Sequence, residues 1–299
     1  MVTSHDKLFI GGEWVPPGSP AAIEVHNAST GERIGTVPEA AEADADSAVA
    51  AARRAFEDPS GWSSWEPARR AAALERLAAE LEARAPEIGR LVSMQNGMPV
   101  AHSPLIEGMT PVGTLRYVAG LLASSPVEEE TARFLGGNLV IRHEPVGEIA
   151  GIVPWNYPQT LSSFKYAPAL AAGNTIVLKP SPETVLDSYV FAEAVIAAGL
   201  PPGVVAIVPG GRELGGKSAA IILDGARLVA GGGRPAGLDA GGVKSSGLGR
   251  ELGPGAIAAY QNLKNPLCLR RPSWKIARPC SPASARRPAP RSRTRRPAR

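Results

Sequence analysis

The most restrictive feature of this chain is a set of three short apolar segments, "GEIAGIVP", "NTIVLKPS" and "VVAIVPGG", spaced by two helical stretches. The first is almost unbroken in apolar residues, as expected of a strand covered on both faces. The intervening "TLSSFKYAPALAAG" and "ETVLDSYVFAEAVIAAG" read as helices. Strand–helix–strand–helix–strand is the pattern of an α/β fold with a doubly wound parallel sheet. Crossovers of one hand bring the carboxyl ends of such strands to one edge. "PWN", "KPS" and "VPGG" follow those ends, where open α/β sheets bind ligands. No G-x-G-x-x-G follows the first strand, and Gly210-Gly211 alone reads equally as a turn. The pattern by itself therefore leaves a nucleotide-binding domain as one reading of the fold.

Upstream, "KLFIGGEWVPPG" predicts two short strands around a Gly11-Gly12 turn. "PEAAEADADSAVAAARRAFED" predicts a helix with Val49, Ala52 and Phe56 on one side. The stretch from Pro67 to Asn96 carries Leu74, Leu77, Leu81, Ile88 and Leu91 at helical spacing. Pro86 is expected to end one helix and begin another, and Gly97 to close the second. "NLVIRHEP" reads as an exposed strand leading out of a hairpin.

Composition bears on what the chain acts upon. No run approaches the roughly 18 apolar residues of a membrane helix, and the start shows no basic-then-apolar leader, so a cytoplasmic location is expected. Two cysteines make no disulfide framework, and four scattered histidines show no metal-ligand spacing. The net charge of +4 conceals a division. Residues 270–299 hold 11 of the 32 basic residues and no acid, leaving 21 basic against 28 acidic, or −7, for the rest. That Arg/Pro-rich tail, residues 265–299, is expected to stay disordered. Its single Trp274 gives none of the aromatic interleaving of nucleic-acid readers.

Taken together, "PWNYP", "GNTIVLKPSPET", "GLPPGVVAIVPG", "ELGGKSA" and "GGVKSSGLGRELG" resemble, in order, the motifs of the NAD(P)-dependent aldehyde dehydrogenase superfamily. The likeness runs from about Leu8 to Lys264. It implies a nucleotide-binding domain (1–126 and 146–211), an oligomerisation hairpin (127–145) and remnants of a catalytic domain (212–264). It also implies oxidation of a small aldehyde to a carboxylic acid through a thioester on a cysteine. A thiolate attack raises negative charge on the carbonyl oxygen, which needs a preorganised donor; Asn156 matches that donor. Hydrolysis of the thioester needs a general base; Glu213 matches it. Ile152, Trp155, Lys179, Ser181, Gly211 and Leu214 match positions that line the dinucleotide groove. Family members often carry a ribose-holding glutamate where this chain has Pro182, with Glu183 next, so NAD and NADP both stand as cofactors. Read alone, Asn156 is equally a turn residue, Lys179 a solvated lysine and Glu213 an exposed acid.

The resemblance also marks what is missing. The family cysteine sits in a Gly-Gln-x-Cys setting, which this chain lacks; Cys268 and Cys280 lie beyond the last motif. "VAIVPGGRE" runs straight into "ELGGKS", and two further junctions precede "GGVKSSGLGRELG". A member shortened in this way is expected to be catalytically impaired, with an open sheet edge where later strands are lost. The alternatives are a non-catalytic nucleotide-binding or subunit-pairing remnant, acting as a homo-oligomer or with a full-length relative, and a degenerate reading frame.

Overall fold

Between Glu148 and Ile207 the chain alternates as the pattern requires. A computed structural model describes residues 3–124, 127–132, 138–211, 220–222, 240–241, 250–251, 257 and 260–264. Its strands are β1 (Thr3–Ser4), β2 (Leu8–Ile10), β3 (Glu13–Val15), β4 (Ala22–His26), β5 (Arg33–Pro38), β6 (Glu128–Ala132), β7 (Asn138–Pro145), β8 (Glu148–Ile152), β9 (Thr175–Lys179) and β10 (Val205–Ile207). Short strands follow at β11 (Ala220–Ile222), β12 (Ala240–Gly241), β13 (Arg250–Glu251) and β14 (Gln261–Lys264). The helices are α1 (Glu42–Glu57), α2 (Pro67–Asn96), α3 (Thr110–Ser124), α4 (Pro158–Ala171) and α5 (Leu186–Ala197), with a π-helical turn at Pro104–Met109.

The main sheet has the order β11-β8-β9-β10-β2-β3. β8 and β9 pair in parallel from Glu148↔Thr175 to Ile152↔Lys179, and β9 and β10 from Ile176↔Val205 to Leu178↔Ile207. Alternation along these strands divides the interior. Ile176, Leu178, Val205 and Ile207 join the large core with α2 to α5. Val177, Ala206 and Val208 pack on the other face with Ala48, Ala51 and Ala52 of α1. Two polar ties fix α1. Asp44 accepts the amides of Ala41 (2.8 Å) and Gly18 (3.0 Å), which caps the helix and secures the loop after β3. Arg53 reaches Glu148, at the start of β8, at 2.7 Å.

Three expectations change. Pro86 does not divide α2, which is continuous from Pro67 to Asn96. Pro86 is exposed, so the carbonyl it leaves unbonded one turn back faces water and the break is tolerated. Gly97 closes the helix as expected, with a φ of 79°. The β8 edge is not open: β11 pairs with it antiparallel, Ala220↔Gly151 to Ile222↔Ile149. The β6–β7 hairpin gains a third strand, β14, which pairs with β7 and makes it a central, half-buried strand rather than an exposed one.

The crossing of α2 and the π-helical turn depends on two glycines. A Cβ on Gly89 would lie 2.5 Å from Pro104 Cα, and one on Gly108 would lie 2.6 Å from the Ala85 carbonyl oxygen. Both obstacles are backbone or the base of a ring, so the two elements would have to separate. Gly89→Ala is therefore expected to cost about 2 kcal/mol, read as a lower urea midpoint with an unchanged slope.

Candidate functional site

The parallel register brings the three loops of interest to one edge. The Val153 amide donates to the Lys179 carbonyl at 3.0 Å, and the Val208 amide to the Leu178 carbonyl at 2.9 Å, so pairing continues past the strand ends. Pro209 is held from the other side, its carbonyl accepting the Ala40 amide at 2.7 Å. Lys179 Nζ spans the gap between loops and donates to the Gly211 carbonyl at 2.8 Å. Gly210 lies beneath that side chain, where a Cβ would fall 3.2 Å from Lys179 Cε. Lys179 and Gly211 are thus brought together. Ile152 lies next to Lys179 across β8 and β9, and the two share a mainly apolar cavity of about 200 Å³ with Val49, Ala150, Val177 and Val208.

The loop after β8 carries Trp155 and Asn156, both exposed, Trp155 by 53%. Its backbone is clamped by Asn96 at the end of α2. Asn96 Nδ2 donates to the carbonyls of Trp155 (3.3 Å) and Asn156 (3.1 Å), while its Oδ1 accepts the Met98 amide at 3.0 Å. Ser181 Oγ is bonded to Glu183 Oε2. Glu183 lines a separate cavity, of about 280 Å³, with Pro182, Gln95 and residues of β4. A carboxylate therefore does stand on the "KPSPE" loop, one residue late, and it faces β4. Glu213 and Leu214 lie outside the described residues. The described residues that flank them, Gly211 and Ala220, both sit at the carboxyl edge, Gly211 against Lys179 and Ala220 opposite Gly151.

Sequence reasoning passed over the residues beneath this loop. Glu107, on the π-helical turn, is fully buried. Its Oε2 accepts the Gln159 amide at 2.9 Å and the Thr160 amide at 3.3 Å, in the first turn of α4. Gln159 Nε2 donates to Asp187 at 2.7 Å, and Gln95 Nε2 donates to the same carboxyl at 2.9 Å. Gln95 Oε1 accepts the Leu186 amide at 2.8 Å. Burial raises Glu107 to about 7 against these bonds, and raises Asp187 to about 6. The usable signal in the sequence is a single acid inside "PLIEGMTP": an isolated charge among apolar residues marks a buried, paired group. Asn96 gave no signal beyond its place next to a closing glycine.

The chain belongs to the aldehyde dehydrogenase family, whose profile matches residues 14–219. It is 45% identical over 215 residues to geranial dehydrogenase of Castellaniella defragrans, covering 72% of this chain and 45% of that protein. The aldehyde dehydrogenase of Mycobacterium tuberculosis complexed with NAD+ superposes with a TM-score of 0.68 at 41% identity, over 71% of this chain and 44% of that one. A Pseudomonas syringae aldehyde dehydrogenase C complexed with NAD+ and octanal gives 0.64 at 38% identity, over 69% and 41%. The chain therefore spans less than half the length of the relatives it matches.

The clamp on the Trp155–Asn156 loop is open to test. Asn96→Ala removes two donors from carbonyls that are otherwise loop backbone. We expect a loss of about 1 kcal/mol in stability and faster amide exchange confined to residues 155–157, measured by hydrogen-exchange mass spectrometry.

Proposed function

We propose that this chain is the coenzyme-binding portion of an aldehyde dehydrogenase and takes NAD or NADP along the carboxyl edge of β8, β9 and β10. The observation that supports it most is the Lys179–Gly211 bridge over Gly210. A cationic donor there spans two loops, with Gly210 close beneath it, where a Cβ would fall 3.2 Å from Lys179 Cε. Fully extended, Lys179 offers Nζ to a ribose hydroxyl, and Ser181 on the same loop offers a hydroxyl nearby. Ile152 and Trp155 give the groove an apolar floor and an aromatic wall. The coenzyme supplies the hydride acceptor for oxidation of an aldehyde to an acid. Asn156 presents an exposed side-chain amide to the substrate oxygen, and Glu213 is the base that takes a proton from water. Glu183 stands one residue late on its loop and lines the cavity toward β4, so NADP stands beside NAD as the coenzyme.

The whole reaction also needs a thiolate, and neither Cys268 nor Cys280 falls in the family setting. Binding without sustained turnover is the expected behaviour, in a cytoplasmic protein. The nucleotide-binding domain then comprises 1–126 and 146–211, with catalytic remnants in 212–264 and a tail at 265–299. A second reading, a subunit-pairing module, is favoured by the separate β14-β7-β6 sheet, in which β6 is an outer strand among the described residues. The acidic run Glu128–Glu130 lies on that strand. It predicts co-elution with a full-length relative on a sizing column.

Isothermal titration with NAD+ and NADP+ tests the coenzyme site. Saturable binding is expected for the full chain. Lys179→Met should weaken it by about tenfold or more, the worth of one charge-assisted hydrogen bond. Steady coenzyme reduction with an aldehyde panel is expected to be absent. No binding of either dinucleotide would overturn the proposal.

A further inference from the structure

Glu107 and its surroundings do not touch the proposed coenzyme groove, yet they support the Trp155–Asn156 loop beside it. The α4 helix begins at Pro158, directly after the Trp155–Asn156–Tyr157 segment, and no side chain of its own first turn caps it. The cap comes instead from Glu107, more than 50 residues earlier in sequence, through the amides of Gln159 and Thr160. Thr160 Oγ1 adds a bond to the Ile106 carbonyl at 2.8 Å, so the π-helical turn and the helix start are joined at three points. We propose that Glu107 is a positioning residue for the Trp155–Asn156 loop, and that the loop is held while Glu107 carries a proton and loosens when it ionises.

Burial favours the protonated form and outweighs the two amide bonds to Oε2, which favour the anion. Glu107 Oε1, Gln159 Oε1 and the Tyr166 hydroxyl are all buried without a hydrogen-bond partner among the described residues. A proton on Oε1 neutralises the group, whereas ionisation leaves charge beside a bare oxygen in the core. Among the described residues, those that bond or couple electrostatically to Glu107 are Gln159, Thr160, Tyr166 and Asp187, none of them a cation. Across the crossing, α2 brings Ala85 and Gly89 against the π-helical turn. From α4 come Gln159, Thr160 and Tyr166, whose hydroxyl burial and the nearby Glu107 keep neutral. From α5 comes Asp187, a second acid whose charge further disfavours ionisation of the first. Lys165, also buried on α4, falls on another face of that helix from Gln159 and Tyr166.

The sign follows by linkage. The folded carboxyl titrates at about 7 against 4.5 when exposed. Its stabilising contribution is therefore fully present below about 4.5 and is lost as pH rises through about 7. Any opening that lets water reach Glu107 becomes easier over the same interval. Between pH 6 and pH 8 the opening equilibrium should rise about tenfold.

The test is amide exchange at residues 155–161 of the full chain without coenzyme, corrected for the intrinsic pH dependence, from pH 5 to pH 8.5. Protection is expected to fall about tenfold between pH 6 and 8 in the wild type. In Glu107→Gln, which keeps an acceptor oxygen and cannot ionise, protection should be flat. A flat wild-type profile, or the same step in the glutamine variant, overturns the proposal. Should that variant fail to fold, NMR of protein labelled at the glutamate carboxyl carbons decides instead. A buried resonance titrating near 7 in step with the Gln159 and Thr160 amides supports the proposal, and its absence overturns it. The functional consequence rests on the coenzyme reading: NAD affinity should fall between pH 6 and 8 in the wild type only. If NAD does not bind at all, that reading fails, while exchange still decides the role of Glu107.

Discussion

The parallel pairing of β8, β9 and β10 is the constraint from which the rest follows. Parallel strands cannot be joined by tight turns, so α4 and α5 must cross back over the sheet, and both strand faces become interior. That explains why Thr175–Leu178 is buried throughout and why α4 is almost wholly enclosed. It also places the ends of all three strands at one edge, which is what lets Lys179 reach Gly211 and sets the Trp155–Asn156 loop beside them. A loop edge of this kind exposes backbone polar groups. Here they are used by continued pairing at Val153 and Val208, by the Ala40 amide and by Asn96, before any ligand is considered.

The helix α4 shows how a site can depend on residues that never touch it. Its first turn needs acceptors, and its own sequence, "PQTL", provides no cap. Glu107 supplies one at the cost of burying an acid next to a second acid, Asp187. Two glutamine amides satisfy Asp187 and none of the bonds satisfies Glu107 Oε1. In such a half-satisfied cluster the buried, unpartnered oxygen disfavours the charged form. The close approach at Gly89 and Gly108 is what carries the π-helical turn deep enough for the contact to form.

Much of this architecture was legible in the sequence, for identifiable reasons. The strands β8 to β10 and helices α4 and α5 follow from long apolar runs with clear punctuation at Gly173-Asn174 and Gly199. Leu74, Leu77, Leu81, Ile88 and Leu91 gave the buried face of α2 correctly, because five apolar residues at helical spacing outweigh one proline. The same proline misled the reading of the helix as two, since exposure of Pro86 is a tertiary fact that no local pattern carries. The pairing of β11 with β8 and of β14 with β7 was invisible for a related reason: partners from distant segments are chosen by available edges, not by local propensity. Motif order put Ile152, Lys179 and Gly211 at or just past strand ends, where the structure has them, whereas Asn96, Glu107 and Asp187 make contacts 28 to 92 positions apart that no local pattern carries. Glu213 and Leu214 rest on the motif alone.

The central claim is that the carboxyl edge of this shortened sheet still holds a dinucleotide. The most direct test is a crystal structure of the full chain grown with NAD+. The adenosine ribose is expected within hydrogen-bond distance of Lys179 Nζ, which would have left the Gly211 carbonyl. Nucleotide density elsewhere on the protein, or none at saturating coenzyme with Lys179 still bonded to Gly211, would contradict it.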